Sequence, residues 1–166
     1  MKKIVTLCCL SLLMNSLAIG QIVDPVKWKF KAIKVDANIY EIHYTATMES
    51  PWHIYSQSSS KMGSSPTVIS INKHKQIKPF GAIQETGKLI SKYVEILDVT
   101  LKYYQESVDF VQKVKIKGNL PVTVQGNIEY SACKDEQCLP SASIDFSILL
   151  EQSISASRTL LSCWLL

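Results

Sequence analysis

No apolar stretch in this 166-residue chain is long enough to cross a bilayer, no segment keeps a helical apolar stripe, and no C-x-x-C occurs. Each absence removes a class of protein. The longest apolar run, Ile4 to Leu13, is broken by Met14-Asn15-Ser16 and falls short of the roughly 20 residues a spanning helix needs. Without apolar positions at i, i+3, i+4 and i+7 there is no amphipathic helix from which to build a bundle. Without C-x-x-C and its strand–helix context, the helix-terminus device that acidifies a thioredoxin-type thiol is missing. No second closely spaced Cys/His pair accompanies Cys133 and Cys138, and His43, His53 and His74 are scattered, so neither a metal nor another cofactor is expected. Charge of one sign is also scarce. Without Lys2 and Lys3, the 18 basic against 14 acidic residues fall from a net +4 to +2, which leaves no electrostatic footprint for nucleic acid. Internal repeats and low-complexity tracts are absent.

The N-terminus has the layout of an export signal. Lys2 and Lys3 precede the apolar Ile4–Leu13 segment, and Ser16-Leu-Ala-Ile-Gly20 offers small residues for cleavage near Gln21. Leu7 stands before Cys8 where a lipoprotein signal needs a small residue, so Cys8 and Cys9 are expected to leave with the signal. Three parts follow: residues 1–20 as signal peptide, 21–150 as one β-sandwich domain, and 151–166 as a tail. The 146 residues left after removal of 1–20 can bury a core without help from disulfides. The tail is too short in its apolar part to span a bilayer, and Cys163 within it reads as an incidental thiol.

Between these ends, alternation with period two dominates. Val26, Trp28, Phe30 and Ala32 alternate with lysines, and Asp36-Ala-Asn38 supplies a turn. Tyr40, Ile42, Tyr44, Ala46 and Met48 then share one face of a hairpin partner. Pro51–Tyr55 is a short aromatic extended segment, Ser56–Pro66 is loop-like, and Thr67–Ile71 is β-branched. Lys73–Lys88, punctuated by Pro79, Gly81 and Gly87, is expected to be irregular or to hold one short strand. Val108, Phe110, Val114 and Ile116 form one strand face; Val122, Val124, Ile128 and Tyr130 form another, with Gly126 marking a bulge or a close backbone approach. Ile144, Phe146 and Ile148 close the series. Seven or eight short strands separated by turns predict an all-β sandwich.

The chemistry-bearing feature is Tyr130-Ser-Ala-Cys-Lys-Asp-Glu-Gln-Cys-Leu-Pro140. Cys133 ends one strand signal and Cys138 begins the next, so a hairpin could bring them within disulfide distance, as an oxidising compartment would favour. Spacing alone favours a passive staple in a non-enzymatic binding or envelope protein. Against that, a bridge closing so short a loop removes little chain entropy, which leaves room for a redox function. Any such reactivity would depend on partner geometry and access, because Lys134 is offset by Asp135 and Glu136.

The segment Gly126–Pro140 resembles the cysteine segment of the N-terminal periplasmic domain of DsbD, the thiol:disulfide interchange protein of the disulfide bond corrector family. The similarity extends from about Asp24 to Leu150 and includes Pro51-Trp-His-Ile-Tyr55 and Leu101-Lys-Tyr-Tyr-Gln-Glu-Ser-Val-Asp-Phe110. It implies an immunoglobulin-like sandwich in the periplasm that passes reductant to thioredoxin-fold partners, disulfide isomerases or cytochrome c maturation proteins. It implies no small-molecule ligand. Cys138 would form the mixed disulfide and Cys133 would resolve it. The family covers its cysteines with a cap; the matching segment is Tyr93–Asp98, with Ile96 and Leu97 where an aromatic tip is usual and Glu95 and Asp98 as acidic groups beside the thiols. His53, Tyr55 and Tyr130 match surroundings of the family site. Full DsbD proteins continue into membrane and thioredoxin-like domains, so this sequence is expected to be either a stand-alone version or a truncated reading frame, and the resemblance implies a membrane electron donor of DsbD type.

Overall fold

Period-two patterning becomes two packed antiparallel sheets. The computed structural model describes residues 23–135 and 137–151; the expected signal peptide and residues 152–166 of the expected tail, with Cys163, lie outside these residues. The strands are β1 (Val26–Asp36), β2 (Ile39–Met48), β3 (His53–Tyr55), β4 (Val68–Ile71), β5 (Ile77–Val94), β6 (Val99–Ile116), β7 (Val122–Tyr130), β8 (Ala132–Lys134), β9 (Gln137–Cys138) and β10 (Ala142–Leu150). One sheet runs β1-β2-β6-β3-β8-β9, with β5 along the other edge of β6; the second runs β10-β7-β4. Together they form an immunoglobulin-like β-sandwich.

The predicted faces point inward. Tyr44, Phe110, Ile42, Ile54, Ile128, Val108 and Val124 are fully buried between the sheets. The lysines of β1 face out, as the alternation requires. Trp28 and Phe30 complete an aromatic layer, with Trp28 6.0 Å from Phe110 and Phe30 5.7 Å from Phe146 between ring centroids.

Among the described residues ten strands replace the expected seven or eight, partly because the cysteine segment, read as a turn, itself pairs as β8 and β9. The larger departure is β5. The sequence predicts that Lys73–Lys88 is irregular or holds one short strand, yet an 18-residue strand begins at Ile77. Pro79 and the glycines are tolerated because β5 pairs only with β6 and its ladder is interrupted between Phe80 and Gln84 and between Gly87 and Leu89. Gly81 adopts φ 71 inside the first interruption. The buried Gln112 amide donates to the carbonyls of Phe80 (2.9 Å) and Lys113 (3.1 Å), satisfying groups the broken ladder leaves free.

β6 also organises the site. Its C-terminal half pairs with β2 and its N-terminal end with β3, while β5 follows it along the opposite edge. The β5–β6 hairpin therefore projects past the sandwich core beside β3 and β8.

Candidate functional site

Cys133 and Cys138 are directly opposed on β8 and β9, joined by a disulfide with Cα atoms 4.0 Å apart. The register leaves two residues between Lys134 and Gln137, and Asp135 takes φ 50, a left-handed conformation that Asp accepts more readily than most residues. The hairpin is tied at its base, where the Leu139 N–H donates to the Ala132 carbonyl at 2.9 Å and the hydroxyls of Ser131 and Ser141 lie 2.9 Å apart. On its flank the Lys134 ammonium sits 5.1 Å from the Trp52 ring centroid. Cys133 is fully buried, whereas Cys138 is exposed on the last strand of its sheet.

One sheet face carries the site. Ile54, Tyr104 and Ala132 point into the core, so their neighbours His53, Tyr103 and Cys133 point the other way. Register places His53 opposite both Gln105 and Cys133, and Tyr55 opposite Tyr103. The His53 ring lies 4.5 Å from Tyr103 and meets Tyr55 edge-on at 5.4 Å. Burial pushes the His53 imidazole below its ordinary value of 6.5; Asp135 opposes that shift and Lys92 adds to it. Burial, with Tyr103 beside it, raises the Tyr55 phenol. These side chains and Cys138 line a cavity of about 400 Å³.

Two segments wall the cavity. The first is the tip of the β5–β6 hairpin, where a 3-10 turn over Glu95–Leu97 ends at Asp98 with φ 50. The second is the serine-rich loop before β4. Glu85 of β5 anchors that loop by accepting from the Ser56 hydroxyl (2.6 Å), the Gln57 N–H (2.7 Å) and, from β6, the Tyr104 hydroxyl (2.8 Å). Ser59 accepts from the Lys102 N–H at 3.1 Å. The walls meet at Gly63, whose φ is +81 and where an added Cβ would lie 2.8 Å from Leu97 Cδ1. Gly63→Val is therefore expected to displace Leu97 and to carry about 1–2 kcal/mol of left-handed backbone strain. Reduction of the disulfide by dithiothreitol should accelerate by up to about tenfold, the factor that 1.4 kcal/mol of easier opening produces. An unchanged reduction rate in a folded variant would mean that the two walls do not gate Cys138.

The expected site residues divide in space. Cys138, His53, Tyr55 and Leu97 line the cavity, with Cys133 buried beneath. Glu95, Ile96 and Asp98 sit on the hairpin tip but do not line it. Ile96 is 91% exposed, and the Asp98 carboxylate accepts from the Tyr93 hydroxyl at 2.6 Å, raising that phenol. Among the described residues, the acidic group lining the cavity is Asp135. Tyr130 lies on the core side, its ring 5.4 Å from Trp28. Sequence reading did not single out Lys92, Gly63, Leu101 or Glu85. Leu101, Tyr103 and Gln105 do alternate about buried Tyr104, a signal that could have placed them on one face; Glu85 gives no such signal. Among the described residues no three His, Cys, Asp or Glu side chains gather to hold a metal ion.

No family model matches the chain, and neither does any curated protein. Among solved structures, the N-terminal periplasmic domain of ScsB from Proteus mirabilis superposes with a TM-score of 0.54 at 16% identity, covering 78% of this chain. The chain spans about half of that one, 47% of its length. The N-terminal domain of Neisseria meningitidis DsbD in its reduced form gives a TM-score of 0.48 at 13% identity, over 74% of this chain and 85% of that one. A yeast GGA1 GAE domain gives 0.44 at 10% identity, over 79% and 96%. At these identities the ScsB likeness establishes the fold and nothing finer.

Proposed function

We propose that this chain is an exported, periplasmic thiol-disulfide exchange module whose Cys133/Cys138 pair passes reducing equivalents to thioredoxin-fold partners. The observation that carries the reading is the asymmetry of the pair, one sulfur fully buried and the other exposed on a sheet edge at a walled cavity. A passive staple has no need of a cavity over one of its sulfurs. Exchange requires in-line access to one sulfur and protection of the other, so that a partner forms a mixed disulfide with Cys138 and Cys133 then displaces it. The resemblance of Gly126–Pro140 to the DsbD cysteine segment and the ScsB-like fold support the same reading. A membrane electron donor of DsbD type supplies the reducing equivalents, and disulfide isomerases or cytochrome c maturation proteins serve as acceptors.

Trapping tests this. Cys133→Ala removes the resolving thiol, and the variant is expected to accumulate a dithiothreitol-sensitive mixed disulfide at Cys138 with a thioredoxin-fold protein, visible on a non-reducing gel. A folded variant that traps no such partner would return the bridge to the role of a hairpin staple.

A further inference from the structure

Cys133 poses a proton problem. It is fully buried, and apolar burial disfavours a thiolate, yet the resolving step requires its sulfur to be deprotonated. Bulk water does not reach it. A nearby group must therefore take the proton.

We infer that His53 is that group, acting as general base toward Cys133 during resolution of the mixed disulfide. This rests on the exchange reading above. His53 occupies the β3 position directly opposite Cys133 on β8, where cross-strand Cβ atoms approach to about 5 Å. Its side chain is 8% exposed and fixed between the rings of Tyr103 and Tyr55, and it lines the cavity that Cys138 also lines. The charged and titratable groups around it are Asp135 from the β8–β9 turn, Lys92 from β5, Tyr55 from β3 and Tyr103 from β6. The net effect of burial and these charges lowers the imidazole from its ordinary 6.5, which leaves it neutral and able to accept a proton at neutral pH. A tyrosine or phenylalanine would fill the same aromatic slot without that capacity.

The step balances as follows. Cys138 thiolate attacks a partner disulfide, forming the Cys138–partner bond, and the displaced partner thiolate takes up the proton that Cys138 released. His53 then takes the proton of the Cys133 thiol as that sulfur attacks Cys138 Sγ. The Cys133–Cys138 bond forms, the Cys138–partner bond breaks, and the second partner thiolate receives the proton from the imidazolium. Two electrons and two protons pass to the partner, and its disulfide becomes a dithiol.

Dithiobis(nitrobenzoate) separates the two steps, because each releases one coloured thiolate: the first when Cys138 attacks, the second when Cys133 closes the ring. The full chain carrying Cys8→Ser, Cys9→Ser and Cys163→Ser, reduced beforehand, limits the signal to the pair. In His53→Gln and His53→Phe the second release should slow about 100-fold at pH 7 relative to the first, the lower end of what general-base catalysis contributes. In the protein with His53 intact, the second rate should rise with pH through an ionisation below 6.5 that coincides with the imidazole titration of His53 followed by NMR. That comparison needs no substitution at the site, so it stands even if a variant misfolds. An unchanged second rate in both folded variants, or an inflection that does not track the imidazole, would overturn the role of His53. No release at all from the protein with His53 intact would instead overturn the exchange reading, and this inference with it.

Discussion

Gly126→Ala is expected to destabilise the sandwich by about 3 kcal/mol, at the upper end of ordinary overpacking, and to lower the melting temperature by on the order of 10 °C. Gly126 lies mid-strand in β7 and pairs with Phe146 of β10 on one side and Ile71 of β4 on the other. A Cβ there would stand 2.0 Å from the Ser70 carbonyl oxygen and 2.5 Å from Phe146 Cζ. The first contact is with backbone, so rotamer changes cannot relieve it. The second is with a ring 4.9 Å from Tyr44 and 5.7 Å from Phe30, an aromatic contact that helps join the two sheets. Two layers must therefore move to accept one methyl group. Denaturant and thermal unfolding would measure the loss, and a shift below about 1 kcal/mol would mean that β4 can move away without harm.

The same glycine marks how far sequence reading reaches. Its place within an apolar alternation pointed to a bulge or a close backbone approach; β7 keeps unbroken register on both sides, so close approach is what it serves. The inward faces of β2, β6 and β7 were legible because period-two alternation follows directly from strand geometry. β5 was not. Its sequence carries the punctuation of a loop, and only the long partner β6 holds it extended, a tertiary effect that local propensity does not encode. The candidate site shows the same division. The cysteine pair lies within six residues and could be read there, whereas Tyr93–Asp98 came into view only through the family resemblance. Leu97 against Gly63, and Glu85 holding Ser56 and Gln57, join segments distant in sequence whose meeting depends on the register of β5 with β6.

Removing one cysteine should have opposite consequences depending on which is removed. In the chain already carrying Cys8→Ser, Cys9→Ser and Cys163→Ser, Cys138→Ala leaves Cys133 as the thiol, fully buried beneath the cavity on the face opposite the core residue Ala132. Its alkylation by iodoacetamide requires the tip of the β5–β6 hairpin or the β8–β9 hairpin to open. An opening free energy of about 3 kcal/mol, modest for an edge hairpin, already slows the reaction about 100-fold. In the same background Cys133→Ala leaves Cys138, exposed on β9, and it should alkylate at a rate near that of an accessible thiol. On the exchange reading the partner assays are expected to follow the same order: Cys138→Ala should form no mixed disulfide at the pair, while Cys133→Ala should form one and fail to release it. A structural staple predicts otherwise, since either substitution would then break the same bond with no asymmetry in partner capture. Equal alkylation rates for the two folded variants would contradict the division of labour between the sulfurs. The comparison tests the asymmetry independently of the partner's identity, because iodoacetamide is small enough to report access alone.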